Sequence, residues 1–546
     1  MLRKRALLVL AGTAAVTAIA AAAASGAGAS GHAKGDPATT TPIKHLVVIF
    51  QENVSFDHYF GTYPNATNPS GEPAFHAAVD TPSVNGLQGA LLTDNPNSAN
   101  PQRLDRSQEL TCDQNHGYTK EQQAFDMGAM DKFVQFTDVE SCSPPDQTAP
   151  NLVMDYYDGN TVTGLWNYAQ RFAMSDNSYS DTFGPSTPGA LNVTAANTYG
   201  AICGPSSAVY NSTPCTKAPG GSTAASFPAD GTVYSDADPN FDICSSTQDG
   251  KSASATIEMG GENIGNLLDN AGITWGWFQG GFASPDYVSG DPSSDDLSAV
   301  CTSTHQNIGG ATQKDYNPHH EPFQYYASTA NPTHLPPTSI AMIGHQDQAN
   351  HQYDLKDFWA AADSDNLPAV SYLKAADYQD GHAGYSDPLD EQAFLVDTIN
   401  RLEKLPTWHE TAVVILYDDS DGWYDHQLGP TLTQSQTSLD ALTGTGSCGS
   451  NAAKVPAAEQ ARCGVGPFQP LLVISPYSKP NFVDGTVTTQ SSVVRFIEDN
   501  WLGGERLGNG ANDAVTGSLD NLFDFDHPDG SKLFLDPSTG EKGSGS

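Results

Sequence analysis

The chain is long, acidic and poor in basic residues: its 546 residues include 63 Asp and Glu against 24 Lys and Arg, a formal net charge of −39. This length allows one large α/β domain or several smaller ones. The strong negative charge argues against a nucleic-acid partner and against docking on an anionic membrane surface.

The N-terminus has the pattern of a signal peptide. Residues 3–5 are basic, residues 6–24 are apolar and rich in alanine, and residues 27–29 fit a small-x-small cleavage site. The weakly hydrophobic core favours a removed signal over a membrane anchor, and no later run is long and apolar enough to cross a bilayer. We therefore predict a signal peptide over residues 1–29, a flexible lead-in over 30–42, and a secreted protein, extracellular or periplasmic, without a stable membrane anchor.

The cysteines agree with export. There are eight of them, an even number, and none forms a CxxC pair, so disulfides are favoured over zinc sites or a catalytic thiol. Cys203 with Cys215 and Cys448 with Cys463 are candidate local bridges, and the remaining connectivity stays open.

Strand and helix patterns alternate along the chain, beginning with a β-branched apolar run at about 43–51 and loops over 62–110. A short helical pattern covers 119–135, and 203–255 is a Ser-, Thr- and Gly-rich insertion or cap. We predict further helices at 162–173, 261–272, 390–405 and 491–501, and further strands at 273–278, 335–343, 369–373, 411–417 and 470–474.

This alternation predicts an α/β fold: one mostly parallel sheet with helices on both faces and loop-rich insertions. We assign residues 43–530 to this domain and 531–546 to a C-terminal tail.

Two of the predicted strands end in oxygen-bearing side chains. The first strand stops at Glu52-Asn53, and the strand at 411–417 ends at Asp418-Asp419. The carboxyl ends of the strands are where open α/β sheets bind ligands. Carboxylates that meet there repel each other unless a cation joins them, and oxygen ligands suit a divalent metal ion, whose identity stays open.

Other residues could take part in chemistry at this edge. Ser186 lies between Gly184-Pro185 and Pro188-Gly189, a rigid turn that can present a hydroxyl beside a helix N-terminus. Asp425 and His426 follow the second strand and are interpreted as structural residues that close its turn. The candidate histidines are His116, His319, His320 and His382.

The segments that carry these residues resemble the bacterial phospholipase C/acid phosphatase family of phosphoesterases, in order from about residue 43 to 525. The resemblance implies an alkaline-phosphatase-like core with metal and nucleophile at the carboxyl edge of the sheet. The matching segments are IKHLVVIFQENVSFDHYFG, GPSTPG, HHEPF, the His382 stretch leading into DEQAFLVDTIN, VVILYDDSDGWYDH, LLVISPYSKP and VVRFIEDNW.

The resemblance also implies roles for individual residues. Ser186 is similar in position to the nucleophile. Many members have Glu where Asp419 stands, and Asn where Gly189 stands; the second departure leaves the substrate class less certain. The implied metal ligands are Glu52, Asn53, Asp418 and Asp419, and the implied phosphate-pocket residues are His116, His319, His320 and His382.

The sequence thus predicts a secreted phosphoesterase with a metal-activated serine nucleophile, acting on a phosphate-ester or phospholipid substrate. Phospholipase C-type cleavage of phospholipid headgroups is the leading hypothesis. A broad-specificity acid phosphatase is the alternative, which Ser at position 186 favours. A non-catalytic secreted binding protein on the same fold stays open, whereas a sulfatase would need an arginine that the Ser186–Ala190 segment lacks.

Overall fold

The β-branched apolar runs form an eight-stranded sheet in the described part of the chain. In chain order its strands are β1 (His45–Gln51), β2 (Ala173–Ser175), β3 (Trp275–Gln279), β4 (Gln352–Asp354), β5 (Val370–Lys374), β6 (Thr411–Tyr417), β7 (Leu471–Ile474) and β8 (Phe482–Asp484). Their order across the sheet is β8-β2-β7-β6-β1-β5-β3-β4, and β7 alone runs antiparallel to its neighbours. The predicted mostly parallel sheet is confirmed.

A computed structural model describes most of the chain, all of it within one compact unit, Pro37–Ser546. The predicted signal peptide, the Cys203 and Cys215 pair and most of the 203–255 insertion lie outside the described residues. The described residues are 38–139, 142, 149–202, 231–246, 256–283, 301–455 and 460–543.

Helices cover both faces of the sheet, as predicted. Among the described residues the helices are α1 (Phe56–Phe60), α2 (Ala90–Thr93), α3 (Tyr118–Phe125), α4 (Phe133–Phe136), α5 (Thr163–Arg171), α6 (Ser186–Ala195), α7 (Ile264–Ala271), α8 (Leu355–Ala362), α9 (Pro388–Leu402) and α10 (Ser491–Trp501). Alternate residues of a strand point to opposite faces. Accordingly, Val47 and Ile49 pack in one core with α5, α8 and α9, while Val48 and Phe50 pack in a second core with α6, α7 and α10.

In the part of the chain that the structure describes, three short strand pairs lie outside the main sheet. Among the described residues, no helix is both long enough and apolar enough to pass through a membrane. The short pairs are Ser178–Tyr179 with Thr488–Thr489, Ala201–Ile202 with Glu258–Met259, and Thr304–Gln306 with Thr312–Lys314.

Two sequence predictions of secondary structure were wrong. The segment 335–343 is not a strand; it contains two prolines, which cannot donate to a ladder, and ends in the single turn Ile340–Met342. The pattern over 119–135 is not one helix, because Asp126 and Met127 adopt left-handed backbone between α3 and α4, with φ of 40° and 59°. The break leaves the Met127 side chain 65% exposed.

Among the described residues, three disulfides join segments around the core. The predicted Cys448–Cys463 bridge is confirmed, and the structure adds Cys112–Cys142 and Cys244–Cys301. In the C-terminal segment, Leu533 and Leu535 are buried in the core that α5, α8 and α9 share.

Candidate active site

The two strands that are followed by carboxylate residues, β1 and β6, are neighbours in the sheet. β1 and β6 pair in parallel along their whole length, so the residues that follow them meet at the carboxyl edge. The Asn53 backbone N–H donates to Asp418 Oδ1 at 2.9 Å, and the Val54 N–H donates to the Asp419 carbonyl oxygen at 2.9 Å. The structure therefore brings Glu52, Asn53, Asp418 and Asp419 together.

Ser186 completes this group from the helix layer. It is the first residue of α6 and is 2% exposed. Its Oγ lies 3.0 Å from Glu52 Oε2 and 3.2 Å from Asp419 Oδ2, within donating distance of both. The predicted nucleophile thus lies directly between the two strand tips.

Gly189 lets the start of α6 approach β6 closely. A Cβ at this position would lie 2.2 Å from the Asp418 carbonyl oxygen, a distance that no side chain tolerates. In this chain, position 189 therefore faces the Asp418 backbone and sets the distance from helix to strand. An asparagine, like any residue with a side chain, would not fit at position 189 without a shift of this backbone.

Several oxygen and nitrogen atoms at the strand tips are buried without partners. Asn53 Oδ1 and Nδ2 and Asp418 Oδ2 have no hydrogen-bond partner among the described residues. Such atoms cost free energy unless a ligand satisfies them. Asn53 also adopts left-handed backbone, with φ of 50°, a strain that clusters at functional sites. This donor set fits a divalent cation with oxygen ligands.

The pKa values of the carboxylates at the ends of β1 and β6 also favour a bound cation. Burial, followed by the neighbouring Asp418 charge, raises the pKa of Glu52 well above its usual value, and burial and Asp418 do the same to Asp419. Burial also opposes ionisation of Asp418, but hydrogen bonding with Glu52 and the charge of Lys374 lower its pKa overall. These carboxylates cannot all ionise together without additional positive charge.

The histidine pair lies on the β5 side of this group. His320 is 1% exposed, and its Nδ1 is 3.4 Å from Glu52 Oε1. His319 Nδ1 is 3.8 Å from Asp238 Oδ1. Although burial lowers both pKa values, the charges of Asp236 and Asp238 raise the pKa of His319 overall, whereas that of His320 stays well below its usual value.

His116 and His382 form a second pair, with ring centroids 5.9 Å apart. His116 Nδ1 is within hydrogen-bonding distance of the Gln114 carbonyl oxygen, and His382 Nδ1 is within hydrogen-bonding distance of the Ala383 carbonyl oxygen. Burial lowers the pKa of His382, and it opposes protonation of His116 as well. The charges of Asp419 and Asp421 nevertheless hold the pKa of His116 well above its usual value.

Two charged residues of the site were missed by the sequence analysis. Lys374 ends β5 and ion-pairs with Glu52, although it is 0% exposed. Asp421 is 0% exposed, and its Oδ1 lies 3.1 Å from His116 Nδ1. The run 369–373 predicts a strand that ends at this lysine, but the pairing of that strand with β1, and hence the burial of Lys374, is visible only in the structure.

Asp425 and His426 stabilise the segment that follows the site. His426 Nδ1 lies 2.7 Å from Asp57 Oδ2 in the first turn of α1, and the Asp425 carboxylate accepts from the Phe468 N–H. Although burial lowers it, the charge of Asp57 raises the pKa of His426 to about 9. Burial and the Asp57 charge raise the pKa of Asp425 to about 8.

Both shifts predict a fall in stability as the pH rises. A pKa raised on folding means that the stabilisation by His426 is complete below about pH 6.5 and is lost as the pH rises through about 9. The raised pKa of Asp425 lowers stability in the same direction, between pH 3.8 and about 8. The His426 shift from 6.5 corresponds to about 3 kcal/mol. Urea unfolding at pH 6 and pH 9 measures this loss. His426→Gln should reduce it, whereas His409→Gln, on the surface, should not.

Comparison with known proteins finds one matching family model and several similar proteins. A model of the Phosphoesterase family matches residues 43–502. The non-hemolytic phospholipase C of Pseudomonas aeruginosa is 24% identical over 503 residues, covering 89% of this chain and 58% of that protein. The non-hemolytic phospholipase C of Burkholderia pseudomallei is 23% identical over 541 residues, covering 92% of this chain and 62% of that protein. This chain thus spans about three fifths of the length of these two relatives.

Two further similarities cover most of the chain. Phospholipase C A of Mycobacterium tuberculosis is 22% identical over 509 residues, covering 90% of this chain and 79% of that protein. A solved structure described as a protein in the alkaline phosphatase superfamily from Vibrio parahaemolyticus aligns with 86% of this chain and 68% of its own, at 10% identity and a TM-score of 0.29. Because the family model covers residues 43–502, the chain belongs to the Phosphoesterase family.

Proposed function

We propose that this chain is a secreted phosphoesterase in which Ser186 is the nucleophile and that its substrate is a phospholipid. The observation that carries the proposal is the Ser186 hydroxyl, 3.0 Å from Glu52 Oε2 and 3.2 Å from Asp419 Oδ2 at the carboxyl edge of the sheet. The names of the relatives, phospholipases C, support the choice of phospholipid.

Glu52, Asn53, Asp418 and Asp419 would hold a divalent cation, which the unpartnered buried atoms of Asn53 and Asp418 favour. A bound divalent cation supplies Lewis-acid chemistry, lowering the pKa of the serine hydroxyl and neutralising a phosphoryl oxygen. The residues themselves orient the nucleophile. Ser186 donates its hydroxyl proton toward Glu52 or Asp419, so its lone pair is free to face phosphorus.

In the first step the Ser186 hydroxyl passes its proton to the Glu52 or Asp419 carboxylate, Oγ bonds to phosphorus, and the bond from phosphorus to the leaving alcohol breaks. His116, whose pKa is raised, is the imidazolium suited to give its proton to the leaving oxygen. In the second step, water attacks the phosphoserine, the bond from phosphorus to Oγ breaks, and Oγ takes back the proton held by the Glu52 or Asp419 carboxylate. His320 and His382, whose pKa values are lowered, are neutral imidazoles suited to take the proton of that water. For a phospholipid, the products are diacylglycerol and the phosphorylated headgroup.

A substrate comparison tests the proposal. The purified chain is assayed on phosphatidylcholine and on p-nitrophenyl phosphate across pH, with and without chelator. Diacylglycerol release that a chelator abolishes is the expected result. Hydrolysis of p-nitrophenyl phosphate without diacylglycerol from any lipid identifies an acid phosphatase instead, and inactivity on both substrates identifies a non-catalytic binding protein.

The net charge of −39 predicts the lipid preference. Anionic surfaces repel such a chain, and salt screens the repulsion over about 10 Å at 0.1 M. We expect faster diacylglycerol release from phosphatidylcholine micelles than from matched phosphatidylglycerol micelles, with a difference that shrinks as salt is added. The measurement is the release rate at two salt concentrations. Faster cleavage of the anionic micelles at low salt contradicts the electrostatic argument.

A further inference from the structure

We propose that Lys374 makes the site selective for a small divalent cation over Ca²⁺, by occupying one oxygen of the Glu52 carboxylate; the inference rests on the proposed metal site. Lys374 is the last residue of β5, the neighbour of β1. Its Nζ ion-pairs with Glu52 Oε1, and the next carboxylate oxygen, Asp380 Oδ2, is 3.9 Å away.

The two oxygens of Glu52 have different surroundings. Oε1 contacts the Lys374 ammonium and lies 3.4 Å from His320 Nδ1. Oε2 faces the other way, 3.0 Å from Ser186 Oγ. Glu52, His320 and Asp380 have donor atoms within 4.8 Å of one another, and the Lys374 ammonium lies against Glu52 Oε1 on that side. Oε2, on the Ser186 side, is therefore the Glu52 oxygen left for a bound ion.

Lys374 has little freedom to leave this position. Its side chain is 0% exposed, and the Phe50 ring lies 5.8 Å from Nζ on the sheet side. A buried ammonium without a counter-charge is strongly unfavourable, so the pair with Glu52 stays formed while the protein is folded. The geometry of the carboxylate is thus set by the fold before any ion arrives.

This division matters most for a large ion. Ca²⁺ takes six to eight oxygen ligands at 2.3–2.6 Å and commonly uses both oxygens of a carboxylate, whereas smaller divalent ions use fewer or single oxygens. A glutamate that offers one oxygen removes a ligand that Ca²⁺ needs. The fixed positive charge also weakens attraction for every divalent ion alike, so it changes affinity without changing selectivity.

Removing the lysine separates the effect of the blocked oxygen, which changes the preference between ions, from the effect of the charge, which changes the affinity for both. The full-length protein is titrated calorimetrically with Mn²⁺ and with Ca²⁺, and the ratio of the two dissociation constants is compared between wild type and Lys374→Met. We expect wild type to prefer Mn²⁺, and Lys374→Met to shift the ratio toward Ca²⁺ by about tenfold or more. Lys374→Arg, which keeps a cation on Oε1, should restore most of the preference.

Lys479→Met is the matched control, because Lys479 follows β7, whose end pairs with the start of β6 at the opposite edge of the sheet. It should leave the ratio unchanged. A folded Lys374→Met protein with tighter binding of both ions but an unchanged ratio overturns the inference and leaves the metal site standing. Wild type that binds Ca²⁺ as tightly as Mn²⁺ overturns it without any variant. Wild type that binds neither ion overturns the proposed metal site as well.

Discussion

Ser186→Ala is expected to lower phosphoesterase turnover by at least about 10³-fold while the protein stays folded. The hydroxyl is the only group that the substitution removes, and it lies between Glu52 and Asp419. Loss of its hydrogen bond costs about 1–2 kcal/mol of stability, which a domain of this size tolerates. The turnover number on the preferred substrate, with thermal unfolding measured in parallel, decides the result.

A buried serine outside the site provides the control. Ser371 is buried within β5, and its Oγ has no hydrogen-bond partner among the described residues. Ser371→Ala should keep wild-type turnover. Acid-quenched wild type should also yield a peptide phosphorylated at Ser186 after reaction with p-nitrophenyl phosphate. A folded Ser186→Ala protein with near wild-type activity rules out this nucleophile.

The strand tips could be predicted from the sequence because local patterns specify them. The runs at 43–51 and 411–417 are apolar and β-branched, so they indicate buried strands of a parallel sheet. A polar pair at the end of each run then lies at the carboxyl edge whatever the rest of the fold does. That β1 and β6 are direct neighbours is a tertiary fact, and the structure supplies it.

Lys374 could not be assigned in the same way. A lysine after an apolar strand is usually solvated, so the sequence predicts exposure. Its burial follows from register: Leu373 lies opposite Ile49, so Lys374, the last residue of β5, lies beside the end of β1, which Glu52 follows. Only the pairing of β5 with β1 makes the lysine a partner of the carboxylate.

The errors at 119–135 and 335–343 have local causes that outweigh periodicity. The first segment has apolar residues at helical spacing, but Asp126 and Met127 take left-handed backbone and turn the chain between α3 and α4. The second contains Pro336 and Pro337, whose missing N–H groups exclude a regular strand interior. Periodicity reports which residues tend to be buried, and it does not report where the chain changes direction.

Asp418→Asn is expected to remove bound metal and activity together. Asp418 Oδ1 accepts the Asn53 N–H at 2.9 Å, and asparagine preserves that hydrogen bond. Asp418 Oδ2 is buried without a partner among the described residues, and the substitution replaces it with an amide that donates hydrogen bonds and binds no cation. The local fold should therefore survive while the negative charge that attracts a divalent ion is lost.

Elemental analysis of the purified proteins, alongside turnover, measures both effects. Asp484→Asn is the matched control, since Asp484 ends β8, is buried, and also has an Oδ2 without a partner among the described residues. It should retain metal and activity, because β2 and β7 separate β8 from β6 in the sheet and none of the four proposed ligands follows β8. Chelator treatment of wild type should reproduce the Asp418→Asn result, and added divalent ion should restore activity to wild type alone. Full activity in a metal-free preparation contradicts the site, because the unpartnered oxygens of Asn53 and Asp418 would then need another explanation.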